Sequence, residues 1–408
     1  MKTIKDSVHD HIEVEGVARA LLDTPAVQRL RRIKQLGPAH LVYPSANHTR
    51  FEHSLGVYYL ACEGLDHLGI QGRQAERVRA AAILHDVGHS PYSHAIEGVV
   101  HRHTGKYHDD VHELLATSEV GEVLRDHGHD PATVADLIAG DGKLGQLVSG
   151  ELDVDRMDYL VRDAHHTGVP YGTIDHSRLV RELTLIDGEL VLAEGNVPTA
   201  ESLLLARALM NPTVYNHHVT RIARGLLQQA SERLLEASDI TPEQLRRMDD
   251  YDLLVALRDA PETAEYARRL SDRDLYKRAV WAEMRDVPEG VIDADYETLR
   301  AYETDIAADA GVDPGEVIIE VLGRPSMTES ESRVIVNGEI RRLDEQSALV
   351  AALQHVQREQ WRLGVYAPAE DTDAVGHAAE RVLGLETDGA LVNEIRTAGE
   401  RTTLDEFK

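Results

Sequence analysis

The sequence predicts a mainly helical body followed by a small α/β lobe, and three observations support this prediction. Apolar residues recur at helical spacing in much of residues 1–285, as in "GVARALLDTPAVQRLRRIKQLG" (16–37), which ends in glycine. Beyond residue 286, short β-rich stretches such as "EVIIEVL" (316–322) occur. Another, "RVIVNGEIRRL" (333–343), contains an Asn-Gly pair typical of hairpin turns. We therefore predict two domains, residues 1–285 and residues 286–408.

The other elements follow from the same periodicities. A short hairpin is predicted at 183–192, where Asp-Gly forms the turn, and the strand "GVYAP" (364–368) is predicted in the lobe. Further helices are predicted over residues 54–70, 74–89, 112–128, 200–238, 345–363 and 374–385.

The charge of the chain is strongly acidic. Asp and Glu number 71 against 43 Lys and Arg, a formal net charge of −28, and only seven of the 43 cations are lysine. Such a surface repels itself unless salt screens it, which favours a high-salt, haloarchaeal source over an acidic protein of ordinary salinity. The same charge disfavours nucleic acid as a partner, because binding to the phosphate backbone requires clustered cations.

The composition also predicts a cytoplasmic protein without a membrane partner. The N-terminal stretch "MKTIKDSVHDHIEVEG" is charged and lacks an apolar signal core. No run of about 18 uncharged apolar residues occurs in the chain. The single Cys62 excludes a disulfide framework and a cysteine-based zinc cluster.

Histidines are concentrated in "ILHDVGHSPYSH" (83–94), directly after an apolar run. Imidazole and carboxylate are usual ligands of divalent metals that lack thiolate ligands. His85 and Asp86 could converge on one ion if the helix ends there, and Gly88 and Pro91 favour such an end. Taken alone, the pair is also compatible with an ordinary buried histidine beside a chance aspartate.

Two further motifs extend this pattern. His53 lies in "NHTRFEHSLG" (47–56), and Asp155 lies in "GELDVDRMDYLVRDAHH" (150–166). Together with "DTPAVQRLRRIKQLG" (23–37), these stretches resemble the HD-domain deoxynucleoside triphosphate triphosphohydrolase family, whose members include vertebrate enzymes with a sterile-alpha-motif domain and bacterial and archaeal relatives. The resemblance covers residues 1–285 and implies an HD-domain helical body.

The resemblance implies roles for the clustered residues. One divalent ion, Mn, Fe, Ni or Mg, would be bound without any organic cofactor. The implied ligands are His53, His85, Asp86 and Asp155. The implied catalytic residues are His89, His94, His112 and Glu97, where Glu97 orients the His94 ring, which acts as general acid or base.

The implied reaction is hydrolysis of deoxynucleoside triphosphates to deoxynucleoside and triphosphate. The matching substrate residues are Gln35, Leu36, Arg50, Arg156, Tyr159, Asp163, Arg207 and Tyr215. Arginines match phosphate contacts, whereas the tyrosines and Asp163 match contacts with the sugar. Two alternatives remain: another HD-type phosphohydrolase, acting on nucleoside monophosphates or cyclic phosphodiesters, and a catalytically inactive nucleotide-sensing module.

A second nucleotide site is also implied. The family's regulatory site, which binds a guanine nucleotide between subunits, is matched by Lys2, Asp23, Gln28, Arg31, Arg273 and Lys277. Asp pairs with the nitrogen donors of guanine, and Arg and Lys bind phosphates. GTP or dGTP is the expected activator, and a homo-oligomer, dimer or tetramer, is the expected assembly. Alternatively, Asp23 only caps the helix that starts near Thr24 and Pro25.

Overall fold

The computed structural model describes residues 1–386, without the side chains of Thr328 and Glu329, and the fold is mainly helical, as predicted. In chain order, the helices are α1 (Gly16–Leu22), α2 (Pro25–Arg29), α3 (Arg50–His67), α4 (Gly72–Leu84), α5 (Glu97–Thr104), α6 (His112–Thr117), α7 (Glu119–Asp126), α8 (Pro131–Ile138), α9 (Gly142–Val148), α10 (Val154–Thr167), α11 (His176–Arg181), α12 (Val197–Met210), α13 (His218–Ala237), α14 (Pro242–Arg247), α15 (Asp250–Asp259), α16 (Ala264–Asp272), α17 (Glu289–Ile292), α18 (Tyr296–Ala310), α19 (Leu343–Gln346), α20 (Ala348–Gln360) and α21 (Thr372–Leu383). The strands are β1 (Lys2–Asp6), β2 (Asp10–Val14), β3 (Leu183–Ile186), β4 (Glu189–Leu192), β5 (Lys277–Glu283), β6 (Ile318–Val321), β7 (Arg333–Val336), β8 (Glu339–Arg342) and β9 (Arg362–Ala367). Within residues 1–386, none of the helices combines the length and the hydropathy needed to cross a bilayer.

The chain forms two compact units. The first comprises residues 1–274 and 326–357, and the second comprises residues 275–325 and 358–386. Residues 387–408 of the predicted lobe lie outside the described residues. The sequence-based division at residue 285 placed the whole of 286–408 in the lobe. Segment 326–357 instead packs with the first unit, because β7 pairs in parallel with β4 through Val334 and Leu192. The resulting sheet has the strand order β3-β4-β7-β8.

Helix α3 lies in the core of the first unit and begins with a capping box. The Glu52 carboxylate accepts the Thr49 backbone N–H at 2.6 Å, which satisfies a donor that the helix leaves open at its start. Leu55, Tyr58 and Leu65 of this helix are buried in the unit's apolar core. Because the cap fixes where α3 starts, it also fixes the position of the polar side chains in its first turns.

Several predicted long helices are broken in the structure. The predicted helix 16–37 ends at Leu22 and restarts at Pro25, since proline favours the first turn of a new helix. The predicted helix 112–128 is interrupted by the extended Ser118. The predicted helix 200–238 is interrupted by a π-helical turn, Asn211–Tyr215, which contains Pro212. The hairpins at Asp-Gly and Asn-Gly are confirmed as β3–β4 and β7–β8.

The second unit contains an antiparallel sheet with strand order β5-β9-β6, against which α18 and α21 pack. Its apolar core includes Val280, Ile306 and Val365. Glu303 on α18 is buried within this unit, where it accepts the Ile319 backbone N–H at 2.8 Å and pairs with Arg300. Burial outweighs these partners and raises the pKa of Glu303 to about 7.

This raised pKa predicts a pH-dependent stability of the second unit. Because the folded pKa of about 7 exceeds the ordinary value of 4.5, the contribution of protonated Glu303 to the stability of the unit is complete below pH 4.5 and is lost as the pH rises through 7. Glu303→Gln should therefore raise the free energy of unfolding above that of the wild type, and this gain should be larger at pH 8 than at pH 4 by up to about 3 kcal/mol. Both tryptophans, Trp281 and Trp361, lie in this unit, so denaturation followed by their fluorescence measures the effect.

Glu297→Gln, at an exposed position of the same helix, is the matched control and should show no such pH dependence. If the free energies of unfolding of Glu303→Gln and the wild type differ by the same amount at both pH values, the raised pKa of the buried Glu303 carboxyl group is refuted.

Candidate metal centre and adjoining cavity

Four side chains from three separate parts of the sequence converge at one point in the first unit. His53 lies in the first turns of α3, His85 and Asp86 follow the end of α4, and Asp155 lies in the first turn of α10. The His53 Nε2 atom lies 3.3 Å from His85 Nε2 and 2.7 Å from an Asp155 oxygen. An Asp86 oxygen lies 3.4 Å from His85 Nε2. The structure thus brings together all four predicted metal ligands.

The other ring nitrogen of each histidine is already occupied. His53 Nδ1 lies 2.8 Å from an Asp158 oxygen, and His85 Nδ1 lies 2.9 Å from the Ala82 carbonyl oxygen. Both partners are acceptors, so each Nδ1 carries a hydrogen and each neutral ring presents a lone pair on Nε2. Two lone pairs facing each other at 3.3 Å repel unless a proton or a metal ion lies between them. This arrangement fits a divalent metal ion.

The electrostatics of the cluster also favour a cation. Burial opposes a charge on His53, but hydrogen bonds to Asp155 and Asp158 and the charge of Asp86 prevail and raise the pKa of His53 to about 10. Burial likewise opposes ionisation of Asp86, yet the charge of Arg50 holds the pKa of Asp86 well below its usual range. The site therefore attracts positive charge, and its two imidazoles and two carboxylates suit Mn, Fe, Ni or Mg.

Asp158 supports this centre and was not predicted. It is fully buried and also accepts from His9 Nε2 at 2.6 Å and from Arg162 Nε at 2.9 Å. A Cβ atom on Gly56 would lie 1.9 Å from an Asp158 oxygen, so only glycine allows α3 and α10 to approach this closely. The sequence signal was a further carboxylate three residues after Asp155, on the same helical face.

A cavity of about 430 Å³ adjoins the centre. His85, Asp86 and Asp155 form one part of its wall. The predicted substrate residues that also line it are Gln35, Leu36, Arg50, Tyr159, Asp163, Arg207 and Tyr215. Seven of the eight predicted substrate residues therefore surround one space beside the metal ligands.

A cluster of imidazoles occupies the same cavity wall. Glu97 lies 2.9 Å from His94 Nδ1 and also bonds His108 Nδ1. The His94 side chain is 56% exposed, but it faces the cavity rather than bulk water. Desolvation lowers the pKa of His94, and the hydrogen bond to Glu97 opposes this shift. His89 is buried beneath, with its ring stacked on His108 at 4.2 Å. The structure thus brings together three of the four predicted catalytic residues.

Three predicted site residues are placed differently from the expectation. His112 does not line the cavity; its ring is 54% exposed and lies 2.9 Å from Asp136, and His108 is the third histidine of the cluster. Arg156 is absent from the cavity wall and pairs with Asp153 at 2.8 Å, the residue that caps its own helix. Arg50 lines the cavity, but its Nη1 is 3.1 Å from both Asp86 oxygens.

Four of the predicted regulatory residues form two pairs near the N-terminus. Lys2 Nζ lies 2.9 Å from an Asp23 oxygen, and Arg31 Nε donates to Gln28 Oε1 at 2.9 Å. Thr24, rather than Asp23, occupies the N-cap position of α2, so the capping alternative for Asp23 is not realised. Arg273 donates to the Leu41 carbonyl oxygen at 2.9 Å. The sixth predicted residue, Lys277, belongs to the second unit.

The helical body with a His, His-Asp, Asp set around one cation site defines the HD-domain class. Sequence comparison agrees: the HD domain matches residues 50–163, and the HD associated region matches residues 174–394. The chain belongs to the HD-domain phosphohydrolase family.

Several relatives share much of this sequence. The chain is 32% identical to the uncharacterized protein YwfO of Bacillus subtilis, over 89% of this chain and 91% of that protein. It is 31% identical to the human deoxynucleoside triphosphate triphosphohydrolase SAMHD1 over 59% of this chain, but spans only 45% of the human protein. The crystal structure of a phosphohydrolase from Bacteroides thetaiotaomicron is similar, with a TM-score of 0.73 at 25% identity over 90% of this chain and 100% of that one.

The position of Asp158 generates a prediction about metal affinity. Asp158→Asn keeps the shape of the side chain but removes the carboxylate that orients the His53 ring. We expect a loss of metal affinity of about 10- to 100-fold, measured by calorimetric titration of the metal-free protein with Mn²⁺. The exposed Asp136→Asn is the matched control and should bind Mn²⁺ like the wild type. Unchanged affinity in a folded Asp158→Asn protein would contradict the supporting role.

Proposed function

We propose that the protein hydrolyses deoxynucleoside triphosphates to deoxynucleoside and triphosphate in a metal-dependent reaction. One observation carries this proposal: the four metal ligands adjoin a cavity of about 430 Å³ whose wall combines arginines with tyrosines and a buried carboxylate. Such a wall suits a ligand with a polyanionic end and a polar, ring-shaped end. The 31% identity to a protein named deoxynucleoside triphosphate triphosphohydrolase supports the same substrate class.

The phosphate end of the substrate would lie beside the metal ligands. A divalent ion held by His53, His85, Asp86 and Asp155 would polarise a phosphoryl oxygen and lower the pKa of a water molecule. Glu97 accepts the hydrogen of His94 Nδ1, which leaves Nε2 of that ring for proton transfer. Arg207, which lines the cavity, is the proposed contact for the far end of the triphosphate.

The sugar end would lie against Tyr159, Tyr215 and Asp163. The two tyrosine rings stand edge to face with centroids 6.1 Å apart, and both line the cavity. Tyr215 donates its hydroxyl hydrogen to an Asp163 oxygen at 3.0 Å, so the carboxylate is held at the cavity surface. Asp163 is the proposed acceptor for a sugar hydroxyl, with Gln35 and Leu36 on the adjoining wall.

A polyanionic substrate is compatible with the net charge of −28 when a divalent cation is bound, because Asp86, Asp109, Asp155 and Asp163 line the cavity together with its three arginines. Arg50, Arg207 and Arg224 line it, and a bound cation would add to their charge. The high-salt source and the cytoplasmic location stay predictions from the composition.

Product analysis tests the proposed reaction. Protein loaded with Mn²⁺ should release inorganic triphosphate from dATP, and Asp155→Ala should abolish turnover because one ligand is lost, with Asp136→Ala as the active control. Anion-exchange chromatography separates the products. Release of orthophosphate would instead indicate another type of HD phosphohydrolase, and nucleotide binding without any turnover would indicate a catalytically inactive sensing module.

We also propose that a guanine nucleotide, GTP or dGTP, binds at Lys2, Asp23, Gln28 and Arg31 and activates the enzyme by promoting a dimer or tetramer. Asp23 is 63% exposed and pairs with Lys2, so its carboxylate is accessible to a guanine base. Arg31 lies with its guanidinium 3.5 Å from the centre of the Phe51 ring. Arg273 and Lys277 are the proposed phosphate contacts, and a nucleotide bound by two subunits would favour the assembly that it bridges.

The regulatory proposal predicts a response of both assembly and rate. GTP should raise the particle mass measured by light scattering and the initial rate of dATP hydrolysis. The double variant Asp23→Ala, Arg31→Ala should lose this response but keep its metal. The exposed pair Arg125→Ala, Asp126→Ala on α7 removes the same residue types elsewhere and should respond normally. A wild type whose mass and rate are both insensitive to GTP and dGTP would end the regulatory proposal.

A further inference from the structure

His48 lies directly behind the carboxylate at the sugar end of the cavity. Its Nε2 atom is 2.8 Å from Asp163 Oδ1, and both side chains are buried. The second oxygen of the same carboxylate accepts the Tyr215 hydroxyl hydrogen. Asp163 is therefore held at both oxygens, by His48 from behind and by Tyr215 along the cavity wall.

The hydrogen-bond pattern fixes the direction of the His48 contact. The Asp163 carboxylate is an acceptor, so the hydrogen between the two groups is on His48 Nε2. His48 Nδ1 has no hydrogen-bond partner within residues 1–386, which leaves Asp163 as the one group that this ring orients there. His166 stacks on the His48 ring at 4.5 Å with an interplanar angle of 15°, a packing contact that is separate from the hydrogen bond to Asp163.

The backbone of His48 makes a separate hydrogen bond to a residue of the cavity wall. Its carbonyl oxygen accepts the backbone N–H of Gln35 at 3.0 Å, and Gln35 lines the cavity. A substitution of the His48 side chain leaves this backbone bond possible. The two contributions of the residue can therefore be separated by mutation.

We propose that His48 is a positioning residue that holds Asp163 in the orientation in which it accepts the 3′-hydroxyl of the substrate sugar. The inference rests on the proposed function for the nature of the substrate. Each Asp163 oxygen has one donor and keeps a further lone pair, and the residue lines the cavity, so the carboxylate can accept one more hydrogen bond from a ligand there. Loss of the His48 donor would free the carboxylate to rotate toward Tyr215, and a 3′-hydroxyl would lose its fixed acceptor.

The test compares dATP with 2′,3′-dideoxy-ATP, which lacks only the 3′-hydroxyl. In the wild type, kcat/KM should favour dATP. His48→Ala should lower this preference about tenfold, the effect of one lost hydrogen bond between buried groups, with its metal content unchanged. His48→Gln, whose amide can donate at the position of Nε2, should restore most of the preference.

His166→Ala is the control for packing, because it removes the ring stacked on His48 without removing a donor to Asp163. It should keep the preference for dATP. The proposal is overturned if folded, metal-loaded His48→Ala keeps the wild-type preference, or if His166→Ala lowers the preference as much as His48→Ala.

Equilibrium binding separates this proposal from the proposed reaction. Dissociation constants of dATP and dideoxy-ATP are measured with the metal-free protein in EDTA, where no turnover occurs. If the wild type prefers dATP in binding and His48→Ala loses that preference, the positioning role holds even where product analysis refutes triphosphate release. If the wild type binds both nucleotides equally, or binds neither, the positioning role is wrong.

Discussion

The candidate site depends on one buried carboxylate, Asp158. It is removed from water and accepts hydrogen bonds from His53, His9 and Arg162. A buried charge of this kind is tolerated only when its partners are complete, because removal of one partner leaves an uncompensated charge that costs several kcal/mol. The charge of Arg162 and these hydrogen bonds outweigh burial and hold the pKa of Asp158 well below its usual range. The metal centre is thus built on an ion network that must form when the body folds.

The same network joins the metal centre to the N-terminal hairpin. Arg162 is fully buried and bonds Asp6 at 2.8 Å as well as Asp158. Asp6 ends β1, the strand that begins with Lys2. A series of ion pairs therefore runs from Asp6, at the other end of the strand that begins with Lys2, through Arg162 and Asp158 to His53. Spatial continuity alone is not energetic coupling. It identifies the contacts that a nucleotide bound at β1 would have to change in order to affect the candidate metal site.

Local signals in the sequence predicted which side chains lie together at the candidate site better than they predicted the architecture. The four metal ligands were predicted because each lies in a recognisable motif, and turn pairs such as Asp187 with Gly188 identified the hairpins. His48, His108 and Asp158 were missed because their roles come from partners that lie far away in the chain. The same holds for the segment 326–357, whose place depends on one strand pairing between Val334 and Leu192. Periodicity alone also could not locate the helix breaks at Ser118 and in the π-helical turn.

The loop that carries His94 shows how the fold holds a backbone conformation beside the candidate site that the local sequence would not adopt. Tyr92 and Ser93 have φ values of 56° and 59°, a region that costs non-glycine residues about 1–3 kcal/mol each. Asp250, from the start of α15, accepts the Tyr92 backbone N–H at 2.6 Å and the Lys34 backbone N–H at 3.0 Å.

Ser93 completes this restraint on the loop. Its hydroxyl donates to the Lys34 carbonyl oxygen at 2.6 Å and accepts from Arg50 Nε at 2.9 Å. The strained loop is therefore bonded to the segment before Gln35 and to the arginine beside the metal ligands. Because these bonds come from three distant parts of the chain, His94 reaches its position beside Glu97 only when the whole body has folded. The geometry of the cavity is thus a property of the tertiary structure rather than of the motif in which His94 lies.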